Sequence, residues 1–140
     1  MSGELMGVSL LEALAIHTLL IETFGGMAGI NEQGFGKLEA ALAAPHASMF
    51  GEDLYPDLRS KAGALFYRLA RTHGFADGNK RVALVALIVY LERNGARLSA
   101  TEDDLYEFTM AVATDATQAF ATQWIAERLI TDDDQISVTV

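Results

Sequence analysis

Nine consecutive residues near the middle of the 140-residue chain carry the side chains that phosphate chemistry uses: His73-Gly74-Phe75-Ala76-Asp77-Gly78-Asn79-Lys80-Arg81. A histidine titrates near neutral pH and can take a proton from an attacking hydroxyl. An aspartate can hold Mg²⁺, which binds through one or two carboxylates together with phosphate oxygens. Gly78 lets the backbone approach a ligand without side-chain interference. Asn79, Lys80 and Arg81 add donors and two full positive charges. If a helix begins here, its unpaired N–H groups and partial positive charge favour an anion as well. Phosphoryl transfer depends chiefly on positioning and charge stabilisation, and this set supplies both. The candidates are therefore His73 as base, Asp77 as metal ligand, and Gly78, Asn79, Lys80 and Arg81 as the phosphate-binding group.

Each residue also has a structural use. A histidine before a glycine suits a helix C-terminus, and Asp77 suits the cap of a following helix. Lys80 and Arg81 also suit a solvent-facing first turn, although cations are disfavoured beside the positive end of a helix. That unfavourable placement argues for an anion between them. Phe75, set among polar neighbours, anchors the loop to the core under either reading.

The elements that must position this string follow from periodicity. Apolar residues recur at helical spacing over residues 9–24, with Ser9 and Glu12 spaced as a capping box and Gly25-Gly26 as the stop. A helix at about 34–44 ends at Pro45. His46 to Pro56 reads as a loop or short hairpin. Asp57 caps a third helix to about Arg71. After the glycine-broken stretch Gly74 to Gly78, a helix runs from Asn79 to Asn94, and Gly95 stops it. Val82 to Val89 leaves no polar face, so this helix is predicted to be the central, buried one, with any chemistry at its N-terminus. Thr101 and Asp104 open a helix to about Ala113, and Asp115 is read as the cap of the last, which carries Phe120, Trp124, Ile125 and Leu129. The expectation is one all-α domain of about six helices over residues 1–140. Its core spans about 8–130, followed by a mobile, acidic and then β-leaning tail at 131–140.

Bulk properties narrow the function classes. With no cysteine, structural disulfides and cysteine-ligated metals are excluded. The longest apolar run, Val82 to Leu91, is about half of the roughly 20 residues a membrane span needs. No basic start followed by an apolar stretch suggests secretion. The expectation is a soluble, cytoplasmic protein. Net charge is −9, but residues 59–97 hold eight cations against Asp77 and Glu92, a net +6 that leaves −15 elsewhere. That balance disfavours direct nucleic-acid binding, whereas a local positive island suits a nucleotide triphosphate.

His73 to Arg81 resembles the Fic/Doc family motif, His-x-Phe-x-Asp/Glu-Gly-Asn-x-Arg, at every defining position. The likeness extends to Ile16-His17, Gly25-Gly26, Leu38-Glu39-x-Ala41-Leu42-x-x-Pro45, Gly51-x-x-Leu54-Tyr55-Pro56 and Tyr90-Leu91-x-x-Asn94-Gly95, about residues 8–100 in all. It is closest to the Doc (death-on-curing) toxin branch. Typical Fic chains read Gly-Asn-Gly-Arg, often with a further Arg three residues on, and transfer AMP. Here the small glycine is Lys80, and Val82-Ala83-Leu84 follows without that Arg, as in Doc-like chains.

The resemblance implies a Fic/Doc-type helical bundle and a toxin that transfers the γ-phosphate of ATP to a hydroxyl of a translation protein, with elongation factor Tu the suggested target. By that likeness His73 is the base, Asp77 the Mg²⁺ ligand, and Asn79, Lys80 and Arg81 the phosphate clamp, with the nucleotide reversed relative to AMP transferases. The partner it implies is a Phd-like antitoxin whose C-terminal segment folds into a groove on the toxin. The competing readings are an AMP or other nucleotidyl transferase, and a catalytically idle binding module. Residues 46–56 fall where relatives carry a flap that docks the target chain, with Met49, Phe50, Leu54 and Tyr55 either gripping a peptide or packing down on the core. Gly29-Ile30-Asn31-Glu32 departs from the usual Gly-Ile-Arg-Asp, and the stretch before Leu38 is about two residues longer. The inhibitory Ser/Thr-x-x-x-Glu-Gly/Asn segment of many Fic proteins has no full match; Thr18 to Thr23 and Ser48 to Asp53 come nearest.

Overall fold

Five of the six helices begin at caps where a side-chain oxygen accepts the backbone N–H three residues on, three of them with a reciprocal bond of capping-box type. The computed structural model describes residues 5–132. Helix α1 (Leu10–Phe24) opens on the Ser9/Glu12 box and closes at Gly25, whose φ of 83° favours glycine. Helix α2 (Glu32–Ala43) is capped by Asn31, and α3 (Leu58–Ala70) by Asp57. Helix α4 (Asn79–Arg93) follows the motif loop, α5 (Glu102–Thr114) opens on the Thr101/Asp104 box, and α6 (Gln118–Arg128) is capped by Thr117. The fold is all-α.

Two helix starts differ from the sequence reading, each because a neighbouring polar residue makes the better cap. Asn31 accepts from the Gly34 N–H at 2.6 Å, so α2 starts two residues early. Thr117 accepts from Phe120, while Asp115 closes α5 instead of opening α6. Four short strands also occur. β1 (Ser48–Met49) pairs with β2 (Glu52–Asp53) in the hairpin at 46–56. β3 (Ala96–Leu98) pairs antiparallel with β4 (Leu129–Thr131), so Thr131 is held against Ala96 rather than beginning a tail. The remainder of that expected tail, Ile136 to Val140 included, lies outside the described residues.

The core sits between α3, α4 and α6. Gly63 on α3 lies so close to Thr122 on α6 that a Cβ there would collide with it. Phe108 of α5 stacks between Phe66 of α3 (4.7 Å) and Trp124 of α6 (3.9 Å), and burying each such ring is worth about 1.5–3 kcal/mol. Helix α4 packs on α1, α3 and α5, but the helix that meets most of the others is α3, whose small residues Ala62, Gly63 and Ala64 let α2, α4, α5 and α6 approach it. Val82, Ala83, Ala86, Leu87, Tyr90 and Leu91 form the buried face of α4. Leu84 and Ile88 lie on its outer side, with Ile88 37% exposed, so the apolar sequence covers a surface stripe as well as the core. Among the described residues no helix is long and apolar enough to cross a membrane.

The C-terminal end of α4 is tied to α1 and the segment before it. Asn94 accepts from the Met6 N–H at 2.8 Å and donates to the Met6 carbonyl at 2.9 Å. Arg93 donates to the Gly7 carbonyl and pairs with Glu12. The Arg93 guanidinium, followed by the Ser9 N–H, holds the Glu12 carboxyl down at about 2. Because the folded state depresses this group, its stabilisation is complete above its ordinary value of about 4.5 and is lost as pH falls toward 2. The Glu12 side chain is 40% exposed, so water screens the pair. Glu12→Gln should lower stability by about 1 kcal/mol or less at pH 7. It should also flatten the pH dependence of the thermal midpoint between 5 and 2, read by circular dichroism melts.

Candidate active site

The loop between α3 and α4 is held by contacts that leave its chemical side chains free. The α3 helix ends at Arg71, so His73 lies past the cap, exposed, at φ 47°. A positive φ is uncommon for a residue with a Cβ and must be imposed by its neighbours. Gly74 supplies the reason, because its carbonyl rests against Gly34 of α2 at a spacing no Cβ on Gly34 would tolerate. Next along the chain, Phe75 is buried and stacks flat on the His17 ring, centroids 3.8 Å apart. The Asn79 side chain accepts from the Phe75 N–H at 2.9 Å and donates to the Phe75 carbonyl at 3.0 Å. Its amide therefore fastens the loop, and what Asn79 offers a ligand is its backbone N–H at the helix start. Phe75 is the core anchor its place in the sequence suggested.

His17 went unmarked as a site residue, although it stands on the apolar face of α1. It is 5% exposed, and its Nε2–H donates to the Asp77 carbonyl at 2.8 Å. The signal available in the sequence was a polar residue at a core position of a helix. The 29–37 loop also takes part. Ile30 forms a β-bridge with Phe75, and the Ala76 N–H donates to the Gly29 carbonyl at 3.0 Å. The stretch that departs from the family pattern is thus a backbone support for the motif.

Asp77 does not cap α4; Gly78 does, at φ 83° and with no side-chain bond. One Asp77 carboxylate oxygen accepts from the Gly78 N–H (2.9 Å) and the other from the Met27 N–H (3.3 Å). The carboxylate is aimed by backbone, and a Cβ on Gly26 would reach within 2.6 Å of it. Because the first intrahelical bond of α4 comes from Val82, the N–H groups of Asn79, Lys80 and Arg81 point out of the helix start. Lys80 and Arg81 are exposed and unpaired with any acid among the described residues, while the Arg81 guanidinium lies 4.9 Å over the Phe24 ring.

Two clefts flank the loop. Asp77, Gly78, Lys80, Arg81 and Leu84 form one wall of a cleft of about 540 Å³, and Glu102, Leu105, Tyr106 and Met110 of α5 form the other. His73 lines a different cleft, of about 600 Å³, between α2 and α3. The loop therefore lies between two clefts, with His73 lining one and Asp77, Gly78, Lys80 and Arg81 lining the other. No cluster of three or more metal-ligating side chains occurs among the described residues. Asp77 alone suits Mg²⁺, which needs few protein carboxylates when phosphate oxygens complete its shell.

Asn79→Ala removes both loop bonds and leaves the part-buried Phe75 backbone groups unpaired. It should cost about 2–3 kcal/mol, measured by urea denaturation. Amide exchange at Ala76 and Gly78 should speed up, while the hairpin at 48–53 is unaffected.

Comparison with known proteins agrees with this geometry. The Fic/DOC family model matches residues 7–91, from just before α1 into the last turn of α4. The chain is 45% identical over 80 residues to the Toxin Doc of Mycolicibacterium smegmatis, covering 57% of this chain and 60% of that protein. It is 31% identical over 103 residues to the protein kinase doc of Escherichia phage P1, covering 74% of this chain and 79% of that one. The match thus spans less than two thirds of the mycobacterial relative's length. With the motif, the loop geometry and the matched stretch in agreement, the chain belongs to the Fic/Doc family.

Proposed function

We propose that this chain is a Doc-like toxin that transfers the γ-phosphate of ATP to a hydroxyl of a cytoplasmic translation protein, elongation factor Tu by likeness, and so inhibits growth. The observation that carries the reading is the uncapped start of α4. Three outward N–H groups, Lys80 and Arg81 gather there with no ion pair to either cation among the described residues, beside an aspartate aimed by backbone. A helix start does not accumulate cations without an anion to hold. The printed name of the phage relative, a protein kinase, points the same way.

On this reading His73 takes the proton as the acceptor oxygen attacks the γ-phosphorus. The bond from that phosphorus to the bridging oxygen breaks, and ADP leaves with the electron pair. The α4 N–H groups, Lys80 and Arg81 meet the developing negative charge, and Asp77 holds Mg²⁺, which supplies further neutralisation when bound. Lys80 fills with a charged side chain the position where AMP-transferring relatives have glycine, which favours a terminal phosphate there.

AMP transfer remains the second reading, favoured by one feature: the α5 wall of the cleft, with Leu105, Tyr106 and Met110, has room and apolar surface for a nucleoside. Exposed apolar residues on α1 and α4 (Leu11, Leu19, Phe24, Ile88) supply a surface for the folding segment of a Phd-like antitoxin. The hairpin presents Met49, Phe50 and Leu54 outward, with Phe50 98% exposed, so these side chains are available to a target and not packed on the core.

The test uses purified protein, Mg²⁺, a bacterial translation extract and ATP labelled at the α or the γ phosphate. Label should enter a protein band from the γ position only, and His73→Ala should reduce it by about 10²–10⁴-fold. Label from the α position would replace this reading with AMP transfer. Absence of His73-dependent label from both positions would leave a binding module.

A further inference from the structure

The second cleft has a chemistry of its own. Beside His73 it is lined by Lys37 and Arg68, with Tyr67, Arg71 and Thr72 completing most of its wall and no carboxylate among them. Arg71 is committed elsewhere: its guanidinium donates to the Val112 and Ala116 carbonyls and lies over the Tyr67 ring. Lys37 and Arg68 are exposed and have neither an ion-pair nor a hydrogen-bond partner among the described residues. In a chain of net charge −9, two unpaired cations facing one concavity without an acid are a distinct electrostatic feature.

The cleft also continues in a defined direction. Arg68 and Ala40 line it and line an adjoining depression that ends at Leu54 and Tyr55, at the base of the β1–β2 hairpin. A trough thus runs from His73, past Lys37 and Arg68, to the hairpin. The hairpin is held in that place by Lys61, 5% exposed, which donates to the Asp53 carboxylate at 3.0 Å and the Pro45 carbonyl at 3.3 Å. A second nucleotide phosphate does not need this trough, because the α4 start and its cations lie on the other side of the loop.

We propose that this trough docks an acidic stretch of the acceptor polypeptide, with Lys37 and Arg68 selecting acceptors that carry aspartate or glutamate beside the reacting hydroxyl. The role of the occupant as acceptor rests on the proposed function, in which His73 takes the hydroxyl proton; the charge preference of the trough does not. Lys37 and Arg68 are specificity determinants, placed to contact the acceptor and not the phosphates.

Binding without ATP separates the two ideas. Two short fluorescent peptides, each with one central threonine, would be titrated with the full chain at low salt: one flanked by glutamate, the other by lysine. The glutamate peptide should bind about tenfold tighter, and added salt should erase the difference. The double substitution Lys37→Ser/Arg68→Ser should abolish the preference, with helical content by circular dichroism and ATP affinity unchanged. Equal binding of the two peptides, or a preference that survives the double substitution, would overturn the proposal. So would loss of ATP affinity in the double variant, which would assign the cleft to the nucleotide. Tighter binding of a short single-stranded RNA than of the glutamate peptide would equally overturn it. A charge preference without phosphate transfer would sink the kinase reading alone, and transfer without a preference would sink this proposal alone.

Discussion

The amide of Asn79, closed on both backbone groups of Phe75, is the contact on which the rest of the site depends. It joins the first residue of α4 to the middle of the loop that precedes it, so helix and loop move as one body. Phe75 in turn carries the loop into the core against His17, and His17 reaches on to the Asp77 carbonyl. Three elements distant in sequence are thereby referred to a single ring. The geometry follows from ordinary requirements: a part-buried N–H and C=O need partners, and an amide side chain is the shortest group offering one of each. With those groups satisfied, the aspartate can be aimed by backbone and the helix start can stay open.

Much of this was legible in the sequence. Caps at Ser9, Asp57 and Thr101 are local interactions over three residues, so their spacing alone located three helix starts. The motif string marked the site because helix start, glycine and cations are contiguous. What escaped depended on pairings across long separations. The β3–β4 ladder joins residues more than thirty positions apart and buries too little alternating sequence to announce itself. Asn31 and Thr117 outcompeted the chosen starts because capping is decided by which oxygen reaches an N–H, and several polar residues stood within reach. His17 looked like a residue of α1 because nothing in its neighbourhood reveals that Asp77 lies opposite.

The all-apolar run of α4 has a similar lesson in it. Sequence hydrophobicity on every side signals burial on every side, but α4 meets α1, α3 and α5 while α3 is the helix that α2, α4, α5 and α6 all meet. Ile88 and its neighbours remain on an outer stripe that α1 and α5 do not close. Apolar periodicity records which surfaces are to be kept from water, without distinguishing whether the cover comes from the same chain or from another. In a toxin-like protein the second source is a physical expectation of the same standing as the first.

Cations line the clefts on both sides of the motif loop, Lys80 and Arg81 on one and Lys37 and Arg68 on the other. A donor nucleotide and an acceptor hydroxyl must approach one phosphorus from opposite directions, because attack and departure are in line. The motif loop lies between two clefts, with the α4 start, Lys80 and Arg81 lining one and His73 lining the other, so on the proposed reading donor and acceptor would reach the loop from different sides. The positive φ at His73 is part of the same loop, at a strain of about 1–3 kcal/mol that the Gly34–Gly74 contact and the Phe75 anchor together offset. In a chain of net charge −9, Lys37, Arg68, Lys80 and Arg81 line these clefts without an ion pair among the described residues, while Arg59, Lys61, Arg93 and Arg128 are each paired with a carboxylate.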